Sequence, residues 1–388
     1  MQNIVNLSMI KRKHSGQDIS IFSEMSALAA KHQAVNLSQG FPDYETDPRL
    51  RKLLGEASDL HYNQYPPMSG LPVLRENLLS FNRQREIPLQ LELENIMITP
   101  GASYAIFMAL ATVLEPGDEV IVLEPSYDSY VPSIETNSGV PVYVSLKDDF
   151  TVDFEALKNA VNAKTKAIMV NSPHNPSGYV WTQSDWNQLA EITTGTGIFV
   201  ISDEVYDILT YDDNPFYSAF HHPELRERCF SIFSFGKMFH VTGWKVGYVL
   251  ASEELLAAFG RVHQYAAFCV NAPAQYALAK YLEIFDVKEN RRMMQHKRDF
   301  FTESFAGLPF SFDQKAGAGY FQLLKLEDTD LNDRELAFWL TEKAGVAAVP
   351  LSAFYKDRQK TGLLRFCFAK KEETIERAAL NLKKFFGS

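Results

Sequence analysis

Five short apolar runs recur through the middle of the chain: Ile96-Met97-Ile98, Val120-Ile121-Val122-Leu123, Ala167-Ile168-Met169-Val170, Ile198-Phe199-Val200-Ile201 and Ser231-Ile232-Phe233. Apolar runs this short read as buried strands, and the helical lengths between them read as crossover connections. The pattern predicts an α/β fold with a mainly parallel sheet sandwiched by helices. Helical spacing in Ile21, Phe22, Met25, Leu28 and Ala29 predicts a helix near the N-terminus, followed by Val35-Asn36-Leu37. Further helices start at Leu71-Pro72, where proline suits the first turn, and run from the Gly101 turn through Leu114.

Beyond Pro273 the pattern changes. A helical stretch through Gln275 and Leu278 leads into the charged segment Lys288 to Arg298. Ala318 to Leu323, Val346 to Pro350 and Leu363 to Phe368 then read as strands of a smaller α+β unit. The last helix, Glu372 to Phe386, starts acidic and ends with Lys383-Lys384, which suits its dipole. The expected divisions are an N-terminal arm and helix (1–44), a large domain (45–283) and a small C-terminal domain (284–388).

Composition narrows the function classes. A chain of 388 residues with 46% hydrophobic content can bury a large core. Its net charge of −10, without a long basic block, argues against nucleic acid or an anionic membrane as partner. Cys229, Cys269 and Cys367 form no CxxC pair, so neither a disulfide framework nor a structural zinc site is expected. The first residues lack a signal-peptide core, and the longest apolar run, Ala105 to Leu114, is too short to span a bilayer. The expected location is the cytoplasm.

Ligands of parallel sheets bind at the carboxyl ends of the strands. There the strands deliver Tyr127, then Asn171 with Asn175-Pro176-Ser177-Gly178, then Asp203 and Tyr206, then the stretch SFGKMFHVTGWKVG from Ser234 to Gly247. A lysine amine, normally protonated up to a pKa of about 10.4, becomes a nucleophile when burial or a neighbouring cation lowers that value. Lys237 is the candidate, and Ser234 and Lys245 offer a hydroxyl and a charge suited to phosphate. Alone, a lysine at a strand end is more often a solvated surface residue. The turn Gly101-Ala102-Ser103 opens a helix whose free amides also favour phosphate, although it is neither a Walker loop nor GxGxxG. Gly40 leaves backbone accessible in a turn, Tyr65 is either a packing aromatic or a phenol offered to a ligand, and Arg365 stands among apolar neighbours.

With SFGKMFHVTGWKVG, NPSG, DEVY and RFCFA in this order, the chain resembles, over essentially its whole length, the class I/II aminotransferases, pyridoxal-phosphate enzymes of fold type I. The resemblance implies that Lys237 forms the Schiff base and shuttles the proton, that Asp203 pairs with the pyridinium nitrogen, and that Asn175 and Tyr206 bond the phenolic oxygen. It implies Tyr127 stacked on the ring, and phosphate held by Gly101, Ala102, Ser103, Ser234, Lys245 and Tyr65 of a partner subunit, hence a homodimer. Arg365 and the Gly40 backbone, with Asn175, would bind the substrate carboxylate, and Ile21 and Phe22 would form apolar pocket walls. The N-terminal arm would pack with the small domain and the active site. Lys245 stands where arginine is more usual, His240 where a small or aliphatic residue is expected, and Ala318 interrupts a glycine pair.

Within the family, GFPD, YNQYPP and TGWK are most similar to bacterial methionine aminotransferase-like proteins, beside kynurenine and glutamine aminotransferases. The implied activity is ping-pong transfer of the amino group of an L-amino acid, methionine or aromatic, to a 2-oxo acid. A cysteine-conjugate β-lyase on the same scaffold begins with the same proton removal and stays open as an alternative. A non-catalytic, cofactor-sensing module is the remoter one. A metal hydrolase using His174, Asp203 and His221-His222 lacks ligand spacing such as HExxH, and no metal is expected.

Overall fold

In chain order the strands are β1 (Val35–Asn36), β2 (Ile96–Thr99), β3 (Glu119–Glu124), β4 (Val140–Ser145), β5 (Thr165–Asn171), β6 (Phe199–Asp203) and β7 (Cys229–Ser234). They continue as β8 (Gly247–Leu250), β9 (Phe310–Ser311), β10 (Phe321–Leu326), β11 (Val346–Ala347), β12 (Val349–Pro350) and β13 (Leu363–Cys367). The computed structural model describes residues 12–15, 19–357 and 361–387. Residues 1–11 and 16–18 of the expected arm lie outside them.

The large sheet has the order β2-β8-β7-β6-β5-β3-β4. β4, β3, β5, β6 and β7 pair in parallel, while β8 runs antiparallel to both β7 and β2. All four residues of β2 are buried, as are Val120 to Leu123 of β3, which is why these segments read as apolar runs. β4 gave no such signal because Val144 is its one fully buried residue, with Pro141 in it and Val140 exposed. β8 was hidden behind the lysine motif as four residues, Gly-Tyr-Val-Leu.

A second sheet, β12-β13-β10-β9, is antiparallel throughout. The segment 346–350, expected as one strand, divides its pairing. Val346 and Ala347 pair in parallel with β1, and Val349 and Pro350 pair with β13. β10 begins at Phe321 rather than Ala318, because Gly319 takes φ +80° and Ala318 instead bridges Thr210.

Helix ends follow local chemistry. Helix Ile21–His32 is capped by the Ser20 side chain, and Gln33 closes it in a left-handed conformation. Helix Val287–Ser304 starts with Asp286 accepting from the amides of Lys288 and Glu289. The β1–β11 pairing joins the N-terminal segment to the C-terminal part of the chain, and with it brings helix Ile21–His32 toward the carboxyl edge of the large sheet.

Candidate active site

Asn171 ends β5 and pairs in register with Asp203 at the end of β6; Ser234 ends β7 opposite Gly247 of β8. Gly247 is required by close approach, since a Cβ there would lie 2.5 Å from the Phe233 carbonyl oxygen and 3.2 Å from the Ala102 nitrogen. Thr99 of β2 pairs with the same Gly247, so the helix Ala102–Val113 starts beside the lysine segment. Gly101, at φ +85°, precedes that helix without a side-chain cap, which leaves the first amides available to an anion.

These ends surround a cavity of about 370 Å³, a size suited to a small cofactor and substrate. Gly40, Gly101, Ala102, Ser103, Tyr127, Asn175, Asp203, Tyr206, Ser234, Lys237, Lys245, Arg365 and Phe22 all line it. Two expected residues do not. Ile21 is 4% exposed and packed in the core, because one step along a helix turns a side chain about 100° away from its neighbour Phe22. Tyr65 is 86% exposed on the surface, its ring 5.9 Å from that of Phe268.

Lys237 is half-buried at the cavity wall, and its Nζ donates to the Gly40 carbonyl at 2.9 Å, so that carbonyl is engaged by lysine. Its ammonium lies 5.5 Å from the centre of the Tyr206 ring. Burial lowers the amine from 10.5 to about 8, with the Arg365 and Lys245 charges acting in the same direction. Asp203 is also buried, which pushes its carboxyl up to about 6 even though Tyr130 donates to Oδ2 at 2.6 Å.

Arg365 is 1% exposed. Nη1 donates to Asn175 Oδ1 at 2.8 Å and Nη2 to the Ser38 carbonyl at 3.0 Å. Three aromatic rings enclose the guanidinium, Phe321 at 3.8 Å, Phe22 at 4.9 Å and Phe354 at 5.1 Å. Among the described residues Nε has no partner, and no ion pair to a carboxylate is formed. Burial holds this guanidinium down to about 10, with the Asp128 carboxylate among the groups that act in the opposite direction. A ligand carboxylate is the natural complement.

The donor set fits pyridoxal phosphate. An uncapped helix start with Ser103, Ser234 and Lys245 suits its phosphate, Asp203 its ring nitrogen, Tyr127 its face, and Lys237 its aldehyde. His174 is a loop residue, bonded to Ser177 Oγ at 2.7 Å and to the Pro125 carbonyl at 3.0 Å. Among the described residues no group of three or more His, Cys, Asp or Glu could hold a metal ion.

Sequence reasoning passed over Tyr130, Gln39, Phe41 and Phe321. Tyr130 opens a short helix and carries no motif; only its burial against Asp203 reveals it. Phe321 belonged to a recognised strand, yet its stacking on Arg365 depends on the β10–β13 register, where Leu323 rather than Phe321 is opposite Arg365.

The family model for aminotransferase class I and II matches residues 32–382. A methionine aminotransferase of Escherichia coli is 39% identical over 376 residues, covering 94% of this chain and 95% of that protein. A kynurenine–oxoglutarate transaminase of Dictyostelium discoideum is 33% identical, covering 94% of each. Among solved structures, YbdL of Escherichia coli, described as having a methionine aminotransferase function, superposes with a TM-score of 0.92 at 38% identity, covering 97% of this chain and 99% of that one.

Proposed function

The chain belongs to the class I and II aminotransferases, and on that premise we propose that it moves the amino group of methionine or an aromatic L-amino acid to a 2-oxo acid with pyridoxal phosphate. The observation that carries this reading is the convergence of Lys237, Asp203 and a carboxylate-free Arg365 on one cavity beside an uncapped helix start. When bound, pyridoxal phosphate supplies the carbonyl carbon that takes the amino group and an electron sink for the developing charge.

The remaining work falls to the chain's own residues. Ala102 and Ser103 amides, Ser234 and Lys245 hold phosphate, the cation adding charge to the helix dipole. Asp203, pinned by Tyr130 and Val205 N–H, holds a proton on the ring nitrogen. Asn175 and Tyr206 bond the phenolic oxygen, and Tyr127 limits tilt of the ring. Lys237, with its amine lowered to about 8, is unprotonated often enough at neutral pH to act as a base on the substrate Cα–H and to return that proton. Arg365 grips the carboxylate by two parallel bonds, which a lysine cannot reproduce.

Apolar side chains are favoured by the walls. Phe22, Phe41 and Phe321 line the cavity, whose only cations among the described residues are Lys237, Lys245 and Arg365. Among the described residues that line the cavity, no further cation remains for a second carboxylate. The likeness to methionine and kynurenine aminotransferases points the same way. Tyr65, exposed and beside Phe268, is assigned to the phosphate of the other subunit in a homodimer. A cytoplasmic location accords with three free cysteines, and no helix among the described residues is long and apolar enough to cross a membrane.

The test is a half-reaction screen. Single amino acids are added to the cofactor-loaded protein without acceptor while its visible absorbance is followed. Bleaching by methionine and aromatic amino acids is expected. Release of pyruvate and ammonia from a cysteine conjugate, without bleaching by any of them, would sink the aminotransferase specificity and favour a β-lyase.

A further inference from the structure

The helix that carries Lys237, Phe235–Met238, ends two residues before His240, whose backbone turns to φ +59°. That left-handed turn directs the imidazole toward Tyr320. Nδ1 lies 2.8 Å from the Tyr320 hydroxyl and Nε2 2.8 Å from the side-chain amide of Asn290. The same Tyr320 hydroxyl is 2.9 Å from the Lys237 carbonyl, and the Tyr320 ring centre is 5.3 Å from Lys237 Nζ. One line of contacts therefore runs from helix Val287–Ser304 through Asn290, His240 and Tyr320 to the main chain of Lys237.

Counting protons gives this line a direction. A carbonyl has none to offer, so the Tyr320 O–H donates to Lys237 and the Tyr320 oxygen must accept. His240 Nδ1 then carries its hydrogen. Burial lowers this imidazole to about 4, so it is neutral at pH 7 and Nε2 is a bare acceptor. Asn290 accordingly presents Nδ2, an atom that otherwise has no partner among the described residues, in place of its oxygen. The hydrogen bonds then run in one order, from Asn290 to His240 to Tyr320 to Lys237.

We infer that His240 is a positioning residue for Lys237, acting by fixing the Tyr320 hydroxyl on the Lys237 carbonyl and the Tyr320 ring beside the amine. The inference rests on the role proposed for Lys237. It also accounts for histidine at a position where the resemblance leads one to expect a small or aliphatic side chain. Those residues cannot donate to Tyr320, and a branched one is strained at positive φ. Asparagine tolerates that φ, and its Nδ2 falls where the imidazole Nδ1 stands.

The test compares wild type with His240→Ala, His240→Asn, Tyr320→Phe and the His240→Ala/Tyr320→Phe double variant. Each is loaded with pyridoxal phosphate; the pH midpoint of its visible absorbance is titrated, and the borohydride-reduced label is mapped. Label on Lys237 is expected throughout. Loss of one buried hydrogen bond should move the midpoint by about half a unit or more in His240→Ala and Tyr320→Phe. The double variant should move no further than the larger single one, and His240→Asn should return the midpoint to that of wild type. Label on Lys237 with unmoved midpoints, or with single effects that simply add, overturns the inference and leaves the Lys237 reading intact. Label on another residue overturns both. Should His240→Ala not fold, Tyr320→Phe, which removes one oxygen, decides by the same midpoint.

Discussion

Arg365 Nη1 donates to Asn175 Oδ1 at 2.8 Å across 190 positions of sequence. The bond ties β13 of the small sheet to the loop after β5 of the large one, and it holds one arm of the guanidinium while Nε stays unpartnered among the described residues. Phe321, at 3.8 Å, prevents the group from tilting away.

Arg365→Lys should therefore lose more than charge geometry, because an ammonium cannot bond Asn175, the Ser38 carbonyl and a carboxylate in one plane. A fall in kcat/KM for methionine of about 10- to 100-fold is expected, carried mainly by KM. Steady-state kinetics at varied methionine check it, and an unchanged KM would remove Arg365 from the carboxylate site.

Lys237 should show its lowered pKa when the apoprotein combines with pyridoxal phosphate. Below about 8 the amine is protonated, so the second-order rate should climb roughly tenfold per pH unit and level off above that value. Stopped-flow absorbance between pH 6 and pH 10 measures it, with those limits set about two units either side of the midpoint. A midpoint near the ordinary 10.5 contradicts the burial argument. Lys237→Ala should lower turnover by at least about 10³-fold.

Asp203 carries the opposite shift. Its carboxyl, raised from 3.8 to about 6, binds a proton more tightly folded than unfolded. Its contribution is therefore present below 3.8 and is lost as pH rises through 6, a cost at pH 8 of up to roughly 3 kcal/mol. Asp203→Asn keeps an acceptor for Tyr130 and should raise the stability of the apoprotein at pH 8, while abolishing most transamination. Urea unfolding of the apo forms at pH 8 and pH 4 is the measurement; the gain should vanish at the lower pH, within about a unit.

Lys245→Ala removes the cation beside Gly101, where Lys245 Cε would stand 3.5 Å from an added Cβ. Affinity for pyridoxal phosphate should fall about 10-fold while affinity for phosphate-free pyridoxal is unchanged. Fluorescence titration with both compounds separates a phosphate contact from a general loss of the fold.

The central strands were legible because parallel strands covered on both faces must be apolar throughout, as Val120 to Leu123 and Ala167 to Val170 are. β4 was not, since exposed and half-buried positions and Pro141 break its apolar run, and β8 was not, since its Gly-Tyr-Val-Leu follows directly on the lysine motif. Of the residues expected around the ligand, Asp203 and Ser234 at the ends of β6 and β7 and Ala102 and Ser103 at a helix start line the cavity. Ile21 was misjudged because a helix pattern marks the buried face without saying whether it buries against core or ligand.

Taken alone, the sequence determined the α/β class, the carboxyl edge on which Asn175, Asp203 and Lys237 lie, and the family-like order of motifs, because each depends on residues close in the chain. Only the tertiary structure decided that Tyr130 supports Asp203, that Phe321 and Phe354 enclose Arg365, and that His240 reaches Lys237 through Tyr320. The contacts of Tyr130, His240 and Tyr320 join residues 73, 80 and 83 positions apart, and those around Arg365 depend on how its strand packs, so strand register and helix phase set them rather than any local pattern.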